Sequence, residues 1–91
     1  MVARTIQVTL GAGATQISAT IAPFNQMIVQ NNGSAARLGD STVTSTKGIA
    51  LAASNAVNST VSIGPFAGQQ GDASQFYLFG TNAQVIDVLL V

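Results

Sequence analysis

The side chains that could support catalysis are few and scattered. The chain has three Asp residues, three Lys or Arg residues, and no Glu, His or Cys. Ser45 and Lys47 are two residues apart, so on a strand they would share a face, and a lysine can serve as the base for a serine nucleophile. Polar turns produce the same spacing by chance, and glycoside hydrolysis would need two of the three Asp residues to converge. We therefore expect no enzymatic activity.

The Asp residues and the glycines also make weak cofactor sites. Asp40 precedes Ser41 and Thr42, and Asp72 precedes Ala73, whereas calcium sites usually collect several carboxylates. An Asp in a turn more often accepts hydrogen bonds from backbone N–H groups nearby. The Gly11–Gly13 segment lacks the third Gly and the Lys of a phosphate-binding loop. The sequence predicts turn-capping carboxylates and neither a cofactor nor a metal.

Low charge excludes several classes of partner. Only 7% of the residues are charged and the net charge is zero, against about 25% charged in an average domain. Three scattered cations cannot neutralise a run of phosphates or bind an anionic lipid surface. The apolar runs fall far short of the roughly 20 residues that span a bilayer, and polar residues interrupt the N-terminal segment. We expect no nucleic-acid or membrane partner, and the absence of Cys fits synthesis in a cytoplasm.

The apolar residues repeat with a period of two. Ile6, Val8 and Leu10 alternate with Thr and Gln, as a half-buried strand requires, and residues 57–63 repeat the pattern. Asn32-Gly33 is a strong hairpin signal between predicted strands at 25–30 and 35–38. Residues 68–74 read as a flexible loop, and no segment has the pattern of a helix. The remaining strands are predicted at 5–10, 16–21 (ended by Pro23), 42–45, 49–51, 75–79 and 84–91.

Seven or eight short strands at roughly ten-residue spacing predict an all-β fold. Without a helix to cross between parallel strands, we expect successive strands to pair as antiparallel hairpins. The fold class is an antiparallel β-sandwich, a jelly roll or a small barrel. Residues 1–91 have the length of one β domain with one modest core.

The last two predicted strands carry more large apolar side chains than one side of a small core can hold. On the C-terminal strand the odd positions 85–91 and the even positions 86–90 point to opposite sides, and only Asp87 is charged. Either the strand is buried on both sides within the sandwich, or one side packs on a neighbouring subunit. A zero net charge does not oppose self-association. The candidate subunit-interface residues are Phe76, Tyr77, Phe79, Ile86, Val88, Leu89, Leu90 and Val91.

Several turn and strand segments resemble small structural proteins of tailed bacteriophages, most closely head decoration or cement proteins. The resemblance covers roughly residues 27–90 and lies in turn and strand signatures. It implies a structural virion protein on the capsid surface, assembled as a homotrimer and bound to the major capsid protein, with no catalytic or cofactor residues. The segments are Ile28-Val29-Gln30-Asn31-Asn32-Gly33, Leu38-Gly39-Asp40-Ser41-Thr42-Val43, Lys47-Gly48-Ile49-Ala50-Leu51, Val61-Ser62-Ile63-Gly64-Pro65 and Val85-Ile86-Asp87-Val88-Leu89.

An alternative function follows from the neutral polar composition. Thirty-one residues are Thr, Ser, Asn or Gln, and a surface of such side chains suits carbohydrate. The alternative is a tail- or spike-associated module that contacts host-surface glycans. Its mark would be an aromatic side chain exposed beside Asn or Gln in a shallow groove.

Overall fold

A computed structural model describes residues 3–54, 56–65 and 67–91, and this part of the chain is all-β. One short 3₁₀ helix accompanies the strands. The strands are β1 (Arg4–Thr9), β2 (Thr15–Gln16), β3 (Pro23–Phe24), β4 (Met27–Asn31), β5 (Ala36–Gly39), β6 (Ile49–Leu51), β7 (Thr60–Ile63), β8 (Gly71–Asp72), β9 (Tyr77–Phe79) and β10 (Val85–Leu90), and the 3₁₀ helix is Ala73–Gln75.

The strands form two four-stranded antiparallel sheets, which confirms the predicted all-β sandwich. Sheet A has the order β1-β10-β4-β7, and sheet B has the order β2-β9-β5-β6. A third, two-stranded sheet pairs β3 with β8. Apolar side chains from the inner sides of sheets A and B meet between them, as in other aligned sandwiches.

The strand pairings are nested along the chain. β5 pairs with β6, β4 with β7, β3 with β8, β2 with β9 and β1 with β10. The chain therefore runs as one long antiparallel hairpin, from Leu38 opposite Ile49 near its tip to Arg4 opposite Leu90 at its base. Two further pairings, β10 with β4 and β5 with β9, roll this hairpin into the two sheets.

Successive strands mostly do not form hairpins, so that expectation is wrong. Among the described strands, β5 and β6 are the one consecutive pair. The predicted Asn32-Gly33 hairpin is also wrong, because β4 lies in sheet A and β5 in sheet B. Here the Asn31 side chain accepts a hydrogen bond from the Gly33 N–H and donates to the Ser34 carbonyl. The turn thus crosses between the sheets with its backbone groups satisfied by a side chain rather than by a partner strand.

Three further local predictions are wrong. Residues 42–45 form turns, because Asp40 and Thr44 side chains bond the backbone N–H groups of Thr42 and Lys47 and so compete with a ladder. The predicted strand 16–21 ends at Gln16, and Pro23 begins β3 instead of ending a strand, a position that needs no ladder donor. The predicted flexible loop 68–74 contains β8 and most of the 3₁₀ helix.

The core lies between the two sheets and is built from alternating positions. Along β10, Ile86, Val88 and Leu90 are 0%, 1% and 2% exposed. Sheet B supplies Leu38, Leu51 and Leu78, and Phe24 packs on Phe76 with ring centroids 5.8 Å apart. The other buried apolar residues include Val8, Leu10, Ile17, Met27 and Val29.

Candidate functional site

The structure separates the predicted interface residues into three sets. Ile86, Val88 and Leu90 point between the sheets and are almost fully buried within one chain. They leave no surface for a partner, so the prediction that these three residues lie in a subunit interface is wrong. The cause is that β10 is a central strand of sheet A, flanked by β1 and β4, whose inner side is closed by sheet B. Of the two alternatives for this strand, burial within the sandwich therefore holds for its even positions.

Leu89 lies on the outward side of sheet A, which we call face A. It is directly opposite Ile28 on β4, and both side chains are half-buried. Val91 follows beyond the strand end, 39% exposed, with its N–H donating to the Gln26 carbonyl. The paired positions of face A are Thr5, Gln7, Thr9, Ile28, Gln30, Thr60, Ser62, Val85, Asp87 and Leu89.

The one ionisable group among these positions of face A is Asp87. Its Oδ1 accepts a hydrogen bond from Gln7 Nε2 at 3.2 Å, and its Oδ2 accepts one from Asn32 Nδ2 at 2.6 Å. Both carboxylate oxygens are thus held by neutral amides of the same chain. A partner could cover face A without leaving a carboxylate that has no hydrogen-bond donor.

Tyr77 and Phe79 lie on the opposite surface of the sandwich, the outward side of sheet B, which we call face B. Both are half-buried, while Leu78 between them is fully buried. Phe76 precedes the strand and packs against the core at Phe24. The paired positions of face B are Gln16, Arg37, Gly39, Ala50, Tyr77 and Phe79.

A groove of about 460 Å³ crosses face B beside Phe79. Phe79, Arg37 and Ala50 lie directly opposite one another on β9, β5 and β6, so together they form its floor. Arg37 Nη1 donates to the Gly48 carbonyl at 2.9 Å. Ser45, Asn58 and Thr81 line the rim. The groove combines one aromatic ring, one cation and several neutral polar groups.

A buried pair of amide side chains lies behind this groove. Asn31 is 1% exposed and Gln84 9% exposed, and Gln84 Nε2 donates to Asn31 Oδ1 at 2.7 Å. Asn31 Nδ2 also donates to the Ala52 carbonyl, and Gln84 Oε1 accepts from the Thr81 N–H. No buried side-chain polar atom in the described part of the chain lacks a partner. The pair ties the segments on both sides of the groove to the core.

The sequence reasoning missed this pair and the groove. One signal was available: Asn31 occupies the inward register of Met27 and Val29, and a polar residue at such a position must find buried partners. The sequence presents Arg37 as one of three scattered cations, a surface charge or half of an intersubunit ion pair. The groove itself arises from the register of three strands that are distant in sequence, which composition does not reveal.

The two loop carboxylates have the predicted turn-capping role. Asp40 Oδ1 accepts hydrogen bonds from the side-chain hydroxyl and backbone N–H of Thr42, and these bonds lower the pKa of Asp40. Asp72 Oδ1 accepts bonds from the N–H groups of Ala22 and Ser74, which lower the pKa of Asp72. Asp72 also caps the 3₁₀ helix and joins it to the segment before β3.

The structure does not unite the other candidate chemical groups. Lys47 Nζ donates to Thr42 Oγ1 at 2.7 Å, and Lys47 and Ser45 line different cavities. Within residues 3–54, 56–65 and 67–91, no three His, Cys, Asp or Glu side chains are grouped as a metal site would need. Within the same ranges no helix has the length and hydropathy needed to cross a membrane.

Comparison of the chain with protein-family models, with curated proteins and with solved structures finds no match.

Proposed function

We propose that this chain is a structural virion protein with a jelly-roll fold, a decoration protein that stabilises a phage head as a homotrimer bound to the major capsid protein. The nested pairings support the jelly roll, since a long hairpin rolled into two four-stranded sheets has the eight strands and the Greek-key connections of that fold. The resemblance of the turn and strand segments supports the virion assignment.

The observation that carries the oligomer is the outward side of β10. Leu89 and Ile28 form an apolar pair on the two middle strands of face A, with Val85 on the same side of β10. The neighbouring positions are neutral, and the Asp87 carboxylate already has two donors. A second copy of the chain is the occupant that this surface suits, because a net charge of zero imposes no repulsion between copies.

A decoration protein needs this combination of properties. Many identical copies sit close together on a shell, so strong single-sign charge would drive them apart. Closed rotational symmetry lets each apolar patch meet a neighbouring copy without leaving an adhesive surface. The protein then adds stability to the shell by contacts alone, as a chain with so few reactive side chains requires.

Sedimentation velocity at tens of micromolar tests the oligomer. We expect the wild-type chain to sediment as a trimer and Leu89→Asp to shift it toward the monomer. A carboxylate buried there without a partner should weaken association at least about tenfold, which corresponds to about 1.4 kcal/mol. Ala14→Asp is the matched control, because it adds the same charge on an exposed loop. A wild-type monomer, or a Leu89→Asp chain that stays trimeric and folded, would overturn the assignment of face A.

Electron cryo-microscopy of phage heads with and without the chain tests the virion role. We expect extra density at the capsid symmetry axes when the chain is present, and heads that resist heating better. Heads that show no added density after incubation with an excess of trimer would contradict the proposal.

The alternative, a module that contacts host-surface glycans, draws on a different feature of the molecule. It is favoured by the groove on face B, which is lined by both Phe79 and Asn58.

A further inference from the structure

We propose that the groove on face B is a binding site for a carboxylated sugar, such as a uronic or sialic acid unit of a glycan. This inference does not depend on the decoration role, because it concerns the opposite surface from the one assigned to self-association. It rests on the floor of the groove, on its polar rim and on the way both sides are held.

The floor offers one aromatic ring for a sugar to pack on. Phe79 is directly opposite Arg37, and the small Ala50 is opposite Arg37 on its other side. The C–H groups on one face of a pyranose carry partial positive charge and pack against the negative face of an aromatic ring. A volume of about 460 Å³ lies in the range of small-ligand sites, about 300–1,000 Å³.

The rim supplies polar groups that have donors and acceptors to spare. Arg37 uses Nη1 on the Gly48 carbonyl, and its remaining N–H groups are available. The side chains of Ser45 and Asn58 make no hydrogen bond to another described residue, and both line the groove. Ring hydroxyls of a sugar can pair with these groups, whereas a purely apolar ligand would leave them without partners.

The charge of the groove distinguishes among sugars. Arg37 is the one ionisable residue among the described residues that line it. A single guanidinium matches a single carboxylate and can bind it through two parallel hydrogen bonds. It is too little charge for a phosphate-rich ligand such as nucleic acid. An acidic monosaccharide unit within an otherwise neutral glycan therefore fits better than either a neutral sugar or a polyanion.

Both sides of the groove are anchored before any ligand arrives. The Asn58 carbonyl accepts a hydrogen bond from the Ala52 N–H, and the Ala52 carbonyl accepts one from the buried Asn31. On the other side, the Thr81 N–H donates to Gln84, and the Thr81 and Ser34 hydroxyls lie 2.8 Å apart. One buried amide pair thus holds both walls. Such preorganisation lowers the ordering cost of binding.

Saturation-transfer difference NMR and titration calorimetry with defined oligosaccharides test the site. The probes are sialyllactose and a disaccharide of glucuronic acid and N-acetylglucosamine, with lactose and maltose as neutral comparisons. We expect the acidic probes to bind at least about tenfold more tightly than the neutral ones. Failure of both acidic probes to bind at millimolar concentration, or equal binding of neutral sugars, would overturn the proposal.

Three variants locate the site. Phe79→Leu should weaken binding at least about tenfold, because it removes the aromatic face while keeping an apolar side chain on the strand. Arg37→Gln should abolish the preference for acidic probes and leave the weak binding of neutral sugars. Tyr77→Leu is the matched control, since Tyr77 is on the same strand and face but does not line the groove.

The sugar affinity and oligomeric state of each variant show whether the groove binds an acidic sugar or a second copy of the chain. Acidic-sugar binding that survives Phe79→Leu, or that is lost equally in Tyr77→Leu, would overturn the assignment of the groove. Loss of the wild-type oligomer in Phe79→Leu, without any sugar binding by the wild type, would assign the groove to a second copy instead. Thermal unfolding of each variant verifies that the fold is retained.

Discussion

The two outward faces of the sandwich have the same alternating strand pattern but different surfaces. Face A carries the apolar Ile28–Leu89 pair among neutral polar side chains, with its one carboxylate bonded inside the chain. Face B places Phe79 and the small Ala50 on either side of Arg37, and these three residues line a groove. An apolar pair among neutral side chains suits a protein partner, and a face with a polar groove suits a small ligand.

Substitution of two neighbouring leucines on β10 should give the largest difference in unfolding free energy between the core and face A. Leu90→Ala should cost about 4 kcal/mol of unfolding free energy, because it leaves a cavity in the core. Leu89→Ala should cost about 1 kcal/mol or less in the isolated chain, because Leu89 is half-buried on face A.

Urea denaturation at sub-micromolar protein, where self-association is weak, measures both variants. Equal losses for Leu89→Ala and Leu90→Ala under this condition would contradict the division of β10 into a core side and an outer side.

Substitution of Asn31 tests whether the buried amide pair stabilises the segments beside the groove of face B rather than face A. Asn31→Ala removes the partner of Gln84 and leaves the Gly33 N–H and the Ala52 carbonyl without their side-chain bonds. We expect a loss of about 3 kcal/mol, since each buried polar group left unpaired costs about 1–3 kcal/mol.

Hydrogen exchange locates that loss. In Asn31→Ala the amides of Ser54 and Thr81, beside the groove, should exchange faster than those of β1 and β10. Gln30→Ala is the control, because Gln30 is exposed on face A of the same strand. Uniform acceleration across both sheets would show that the pair supports the whole fold instead of the groove.

Gly80 gives a smaller effect at the edge of the groove. A Cβ at this position would lie 2.8 Å from both Gln84 Oε1 and Leu10 Cδ1. Gly80→Ala should therefore destabilise the protein by about 1–2 kcal/mol through overpacking. Gly13→Ala meets nothing within 4 Å and should be neutral or slightly stabilising in the same thermal melt. Equal melting temperatures for the two variants would contradict the close approach at Gly80.

Acid should produce the smallest change. Hydrogen bonds lower the pKa of Asp40 and Asp72 below the ordinary value of 3.8, so both carboxylates bind protons more readily in the unfolded chain. Their contribution to stability is present above pH 3.8 and is lost as the pH falls through the lower folded values. We expect the melting temperature to fall less steeply in Asp72→Asn than in the wild type as the pH is lowered below 3.8, where this contribution is lost.

The control for this titration is the exposed neighbour Gln70→Asn, which changes no charge. A melting temperature with the same pH dependence in Asp72→Asn and the wild type would show that the Asp72 bonds contribute nothing to folding.

Local periodicity predicted most of the strands but not their partners. The alternation of Ile6 and Val8 with Thr and Gln identifies one buried side for β1, because side chains in a strand point alternately to opposite faces. On β10 both sides are apolar, so the same pattern leaves its core side undetermined. The same reasoning misassigned the Asn32-Gly33 turn, since an Asn-Gly pair reverses the chain equally well when a side chain such as Asn31 satisfies the turn. Pairing between strands at opposite ends of the chain has no local signal.

By itself, the sequence determined the all-β class, the turn-capping carboxylates and a surface with little charge, because alternation, side-chain hydrogen bonding and composition are local properties. Only the tertiary structure decided that Ile86, Val88 and Leu90 belong to the core while Leu89 remains on the surface, and that Phe79 lies beside Arg37. These outcomes depend on which strands become neighbours and in what register, and the folding of the nested hairpin into two sheets sets both.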